Sequence, residues 1–133
     1  MREYFILITP DNYVKGISTD NANLNFYYNV LECRSIEIIR PFKETLDGQQ
    51  IMVIDEEGRL KERPRVNTIA SVLANQMLYG NVLIAIEDER NGEPDIIGFD
   101  NVHAVIAMSA IRITLKRSGL FSLDSHTERD EEP

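Results

Sequence analysis

Apolar residues recur along this chain at two periods, and the switches between them mark its elements. Alternating or continuous apolar runs at 4–8, 13–18, 36–40, 50–54, 82–86 and 95–98 predict β-strands, most of them bounded by Gly, Pro, Asn or Asp. Thr9-Pro10-Asp11-Asn12 predicts a type I turn between the first two, with Pro preset at its second position. Asp47-Gly48 and Asn91-Gly92 predict two further hairpins. Gly16 weakens the second strand or marks a bulge.

Three segments follow a period near 3.6. Leu24, Tyr27, Tyr28 and Leu31 set out one helical face behind Asp20 as N-cap, although four nearby asparagines leave that helix dependent on packing. Ile69, Val72 and Leu73 set out a second face, with Asn67 or Thr68 as N-cap and Gly80 as the stop. After Asp100 both periods are present. Ile111 to Lys116 alternates as a strand would, whereas Val102, Val105, Ile106, Ser109 and Ile113 keep helical spacing. The ends decide for a helix over 101–117: Asp100 is a good N-cap, Lys116 and Arg117 suit a C-terminus, and Gly119 suits the left-handed position beyond it. Leu120 can then pack back on Leu115.

The pattern therefore predicts a single α+β domain over 1–120, a mostly antiparallel sheet of about five or six strands packed against about three helices. Its expected core is Ile6, Ile8, Leu31, Ile38, Met52, Ile54, Ile69, Leu73, Leu83, Ala85, Val105 and Ile106.

Composition changes this picture in three ways. A chain of 133 residues with 43% hydrophobic content can bury a real core. No apolar run reaches the length of a membrane span, and the apolar stretch near the start is too short for a signal peptide. The single cysteine, Cys33, suits a small apolar residue in a reducing cytoplasm. The net charge is −8, but the last ten residues hold five acids and one base, which is half of it. Residues 121–133 are thus expected to form an acidic, solvated tail, and the body is only mildly acidic. That balance argues against nucleic acid as a direct partner, because phosphate binding needs clustered positive charge.

Arg59, Lys61, Arg63 and Arg65 fall on every second residue and run into the helix that Asn67 or Thr68 caps. In an extended segment, which Pro64 favours, they form one cationic strip aimed at a helix N-terminus. Arg59, Lys61, Arg63, Arg65 and Asn67 are therefore candidates for binding an anion such as a phosphorylated small molecule. The plainer alternative is a solvated edge that pairs with Glu56, Glu57 and Glu62. The acids at 55–57 and 87–89 are expected to be solvated turns. His103, His126 and Cys33 lack ligand spacing, so neither a metal nor a cofactor is expected. Phe26, Tyr27 and Tyr28 exceed what one helix face needs. Tyr27 and Tyr28 are candidates for a partner surface or a homodimer seam, with a plain amphipathic rim as the alternative. No nucleophile elbow, phosphate loop or His-Glu metal helix is present.

Two segments, VIDEEGRLKERPRVN and IASVLANQMLYGNVLIA, carry a resemblance. They are similar to the core motifs of domain of unknown function 3846, a family of small proteins common in bacteriophages and the bacteria that carry them. Its acidic-Gly turn, Leu-Lys pair, Pro, Asn, Ala-containing helix and strand-opening Gly correspond to Glu57, Gly58, Leu60, Lys61, Pro64, Asn67, Ala70 and Gly80. The resemblance implies an α+β fold and a mobile-element setting, and supplies no activity. With the absence of a catalytic motif, the first expectation is a non-enzymatic protein in the host cytoplasm that contacts a host protein, for instance to counter host defence. The second is a binder of a phosphorylated ligand, such as a nucleotide or signalling metabolite, at the basic strip.

Overall fold

A computed structural model describes residues 2–43, 48–90, 92–119 and 126–128. The chain runs β1 (Glu3–Ile8), β2 (Tyr13–Thr19), α1 (Leu24–Leu31), β3 (Ile36–Ile39), β4 (Gln49–Asp55), a 3-10 turn (Gly58–Leu60), α2 (Thr68–Ala74), β5 (Val82–Arg90), β6 (Glu93–Ile97), α3 (Asn101–Arg117) and β7 (His126–Glu128). It is a single α+β domain. Its sheet has the order β3-β4-β5-β1-β2-β7, with β6 paired to the far half of β5. β1 to β6 pair antiparallel, and β7 joins β2 in parallel. Three residues of the acidic tail thus extend the sheet; the tail residues 121–125 and 129–133 lie outside the described ones.

Alternation along the central strands separates two cores. Ile6, Ile8, Met52, Val82 and Ile84 face α2 and α3, whereas Phe5, Leu7, Ile51, Val53, Leu83 and Ala85 face α1. β5 is buried on both faces, which is why 82–86 is apolar without a break. Between β1 and β2, Asn12 takes the left-handed conformation at φ 68°, and Thr9 N–H donates to Tyr13 O at 2.9 Å. Asn91 and Asp47, expected in the other two hairpins, lie outside the described residues.

The helices bring corrections. α1 is capped by Asn23, whose side chain accepts from Phe26 N at 2.9 Å, and not by Asp20. Asn23 stands immediately before the first helical residue, where a short side chain reaches the orphan N–H groups. Leu24, expected on the packed face, is exposed; Tyr27 and Leu31 are the residues α1 buries. α2 stops at Ala74 because Asn75 turns left-handed, well short of Gly80, and Val72 faces solvent.

α3 has the predicted span, with Asp100 as its cap and Gly119 at φ 80° just past its end. Leu120 lies outside the described residues. The orientation of α3 is the reverse of the expected one. Val105 and Ile106, expected in the core, are exposed at 38% and 59%, as are Val102 and Ile113. The buried face is Ala107, Ile111 and Leu115, with Ala104 and Met108 packed beside it. Ala104 and Ala107 have short side chains, so the start of α3 can lie close to the sheet, and Ile111 and Leu115 fill the space further along. Ile111→Ala is accordingly expected to lower stability by about 2–4 kcal/mol, and Ile113→Ala by less than about 0.5 kcal/mol, in dilute urea titrations. Equal losses would show that the helix is rotated from this orientation.

Candidate functional site

The segment from Asp55 to Asn67 is extended only in part, and the interruption sorts its cations. Asp55, 6% exposed at the end of β4, accepts Glu57 N–H at Oδ1 (2.9 Å) and closes an Asx turn into the 3-10 turn. Gly58 sits there with Tyr79 O only 3.1 Å from where a Cβ would stand. The turn breaks the alternation that a single strip needs. Arg59 lies in a separate cleft of about 290 Å³ beside Glu37, Glu56 and Tyr79. Lys61, Arg63 and Arg65 line another of about 150 Å³, which Glu32 and Asp55 also enter.

Two of these cations, Lys61 and Arg65, are paired, though not with the neighbouring acids the sequence suggested. Lys61 Nζ stands 2.9 Å from Asp55 Oδ2 and donates to Glu32 O at 2.9 Å, tying the end of α1 to this segment. Arg65 pairs with Asp11 in the β1–β2 turn. Arg63 is exposed and has no hydrogen-bond or ion-pair partner among the described residues.

Asn67 is fully buried. Its amide donates to Ile8 O at 2.9 Å and Gly80 O at 2.8 Å, while its Oδ1 accepts Ala70 N–H at 3.0 Å as the cap of α2. The side chain is thus engaged inside the fold, and the seven-residue α2 presents its first turn to Asn67 itself.

On the other side of Lys61 the chain forms a larger cleft of about 550 Å³. Tyr28, Asn29 and Glu32 make the α1 wall, Glu57, Leu60 and Lys61 the opposite wall, with Asp55 and Cys33 between them. Leu60 is 71% exposed at the rim. Tyr28 and Lys61, two candidates chosen on separate grounds, therefore meet in one cleft. Tyr27, the other aromatic candidate, is buried against Phe5 at 5.9 Å and Phe26 at 5.2 Å, and its hydroxyl donates to Ile96 O at 3.2 Å. Burial, and then the charges of Glu3 and Asp95, push that phenol well above its ordinary pKa, so it remains a donor. Cys33 is likewise pushed up, first by burial and then by Asp55, which keeps it a thiol.

Sequence reasoning missed Asp55 as the organiser of this cleft, although an Asp two residues before a Glu-Gly turn is an Asx-turn signal. Among the described residues no three His, Cys, Asp or Glu side chains gather as a metal-binding group. His103 is engaged at the start of α3, with Nδ1 2.6 Å from Asp100 Oδ2. The His103 backbone N–H and then its ring hold the Asp100 carboxyl below the usual range.

The family described as Domain of unknown function (DUF3846) matches residues 1–97, which is every element from β1 to β6 and includes both walls of the cleft. The chain belongs to the DUF3846 family. Neither the curated proteins nor the solved structures yield a match. The DUF3846 match ends with β6, so α3 lies beyond the matched residues. No helix among the described residues is long and apolar enough to cross a membrane.

Proposed function

We propose that this DUF3846 member is a non-enzymatic binding protein that holds a segment of another protein in the cleft between α1 and the Asp55–Lys61 turn. The observation that carries the reading is the makeup of that cleft. An exposed leucine and a half-buried tyrosine flank a polar floor with charges of both signs. Apolar anchors beside mixed charges suit a polypeptide, whereas an anion would meet Glu32, Asp55 and Glu57. The phage or prophage setting suggested by the family resemblance makes a host cytoplasmic protein the partner, with interference in host defence as the outcome.

The test is capture from host lysate with immobilised wild-type protein and with a Tyr28→Ala, Leu60→Glu double variant. Wild-type is expected to retain a stoichiometric protein that the variant loses by at least about tenfold, with the variant's melting temperature nearly unchanged. Equal capture by both, or none by either, overturns the reading. The second reading, a phosphorylated ligand, has in its favour Arg63, which is without a partner among the described residues. It would take over if a nucleotide stabilised the wild type and not an Arg63→Ala variant.

A further inference from the structure

The edges of a sheet carry backbone N–H and C=O groups that can recognise another extended chain, and this sheet treats its edges unequally. β7 lies along Tyr13–Lys15 of β2, and beyond it the outward residues are Gly16 and Ser18, which offer little to pack against. On β6, Pro94 has no N–H, Ile96 N–H donates to Asp95 Oδ1 at 3.0 Å, and Ile96 O accepts the Tyr27 hydroxyl at 3.2 Å. β3 is the terminal strand at the opposite side and pairs with β4 alone. Glu56 N–H donates to Ser35 O at 3.2 Å, which sets the phase of that ladder. Glu37 and Ile39 therefore turn their backbone groups to β4, and Ile36 and Ile38 turn theirs outward. Neither Ile36 nor Ile38 has an outward backbone partner among the described residues. The strand holds half-buried isoleucines at 36, 38 and 39 and has no lysine, proline or bulge to blunt it.

We infer that the partner segment held in the cleft continues as an added strand on the outer edge of β3. This mode of binding rests on the cleft reading and adds how the segment is gripped. The cleft opens directly onto that edge, since Cys33 and Arg34 line it and β3 begins at Ile36. Ile36 and Ile38 each present one donor and one acceptor at strand spacing, a pattern that fits an extended polypeptide backbone rather than a compact ligand. The side chains set a further requirement. Ile36 and Ile38 pack with the α1-side core, while Glu37 and Ile39 line the cleft that holds Arg59. An added strand alternates in step with its neighbour, so the segment is apolar on the α1 side and polar on the other. A second copy of β3 is the poorer occupant. Pairing Ile36 with Ile38 of the other copy sets Glu37 against its own counterpart. The next antiparallel register places Ile36 against Arg40, beside Pro41, where the strand has already ended.

The probe is a peptide of about 12 residues, long enough to span the cleft and β3, selected from a random library on the immobilised full chain. Hydrogen exchange at individual amides reads how it docks. At saturation the peptide is expected to slow exchange at Ile36 and Ile38 at least about tenfold and to leave Glu37 and Ile39, already bonded to β4, nearly unchanged. Ile38→Pro removes an outward donor without touching the β3–β4 ladder, so it should weaken the peptide at least about tenfold at a nearly unchanged melting temperature. If that variant melts early, N-methylation along the peptide supplies the same reading, since methyl groups at every second amide should abolish binding and the interleaved ones should not. A library that yields no peptide overturns the proposal. Peptides lost with Tyr28→Ala, Leu60→Glu that leave Ile36 and Ile38 exchange unchanged also overturn it, while the cleft reading stands. Peptides that protect Ile36 and Ile38 but ignore those two substitutions would keep the strand site and sink the cleft reading. Protection that rises with protein concentration in the absence of peptide would assign the edge to a second copy and overturn the proposal.

Discussion

Replacing Asn67 with alanine is expected to lower the free energy of unfolding by about 3–5 kcal/mol, the largest effect of any single polar substitution in this protein. The side chain is completely buried and joins three elements: the end of β1 through Ile8 O, the start of β5 through Gly80 O, and the first turn of α2 through Ala70 N. Losing a helix cap costs about 1 kcal/mol, and each buried carbonyl left without a donor costs about 1–3 kcal/mol more. A melting-temperature drop of roughly 10 °C or more should follow for a domain of this size. Asn67→Asp separates the contributions. It keeps the cap acceptor but turns a carboxylate toward two carbonyl oxygens, so its folded-state pKa must rise above the unfolded value. That variant should therefore be unstable at neutral pH and regain stability as pH falls, because the protonated acid can again donate to one carbonyl. An Asn67→Ala protein that melts within a few degrees of the wild type would contradict this role.

Gly98→Ala is expected to cost about 2–4 kcal/mol, although it adds a single methyl group. At Gly98 the chain leaves β6 and passes against β1. Gly98 N–H donates to Glu3 Oε1 at 2.9 Å, and Tyr4 and Phe99 exchange backbone hydrogen bonds of 2.9 and 2.7 Å. A Cβ on residue 98 would stand 2.7 Å from Glu3 Cβ and 2.9 Å from both the N and the O of Tyr4. Two of those neighbours are backbone atoms of a buried sheet, so relief requires separating β1 from the β6 end. Gly80→Ala is the comparison, since Gly80 has φ 75° and nothing within 4 Å of its Cβ position. It should lose only the left-handed penalty of about 1 kcal/mol. Urea midpoints at unchanged slope would give both numbers. A Gly98 variant no worse than the Gly80 variant would mean that the β1–β6 junction is looser than the geometry states.

The clash at Gly98 could not be read from the sequence. Residues 3–4 and 98–99 are almost a hundred positions apart, and nothing local marks their contact. The Asn67 hub was half visible: the cap is a neighbour relation, whereas the bonds to Ile8 O and Gly80 O need β1 and β5 already side by side. The cationic segment shows the same division. Alternation of Arg59, Lys61, Arg63 and Arg65 suggested one strip, but Asp55 draws in Glu57 N–H and Lys61, and the resulting turn sends Arg59 elsewhere. The meeting of Tyr28 with Lys61 depends on α1 crossing the sheet beside the end of β4.

What the sequence determined by itself was the set of elements, because the causes are local. Period-2 and period-3.6 apolar spacing, Asp100 as one cap and Asn67 or Thr68 as another, and turn residues between strands act over a few residues each. They give six antiparallel strands and three helices, although α2 ends well before Gly80 and β5 runs on past Ile86 to Arg90. What only the tertiary structure decided was which side of each element is inside. α3 shows it most plainly. Its sequence offers two apolar faces of similar strength, and the periodicity of Val102, Val105, Ile106 and Ile113 is as good as that of Ala107, Ile111 and Leu115. The choice depends on the surface the helix must match. Small alanines let it settle onto β1 and β2, while the bulkier face, whose branched side chains would hold the helix away, is left toward solvent.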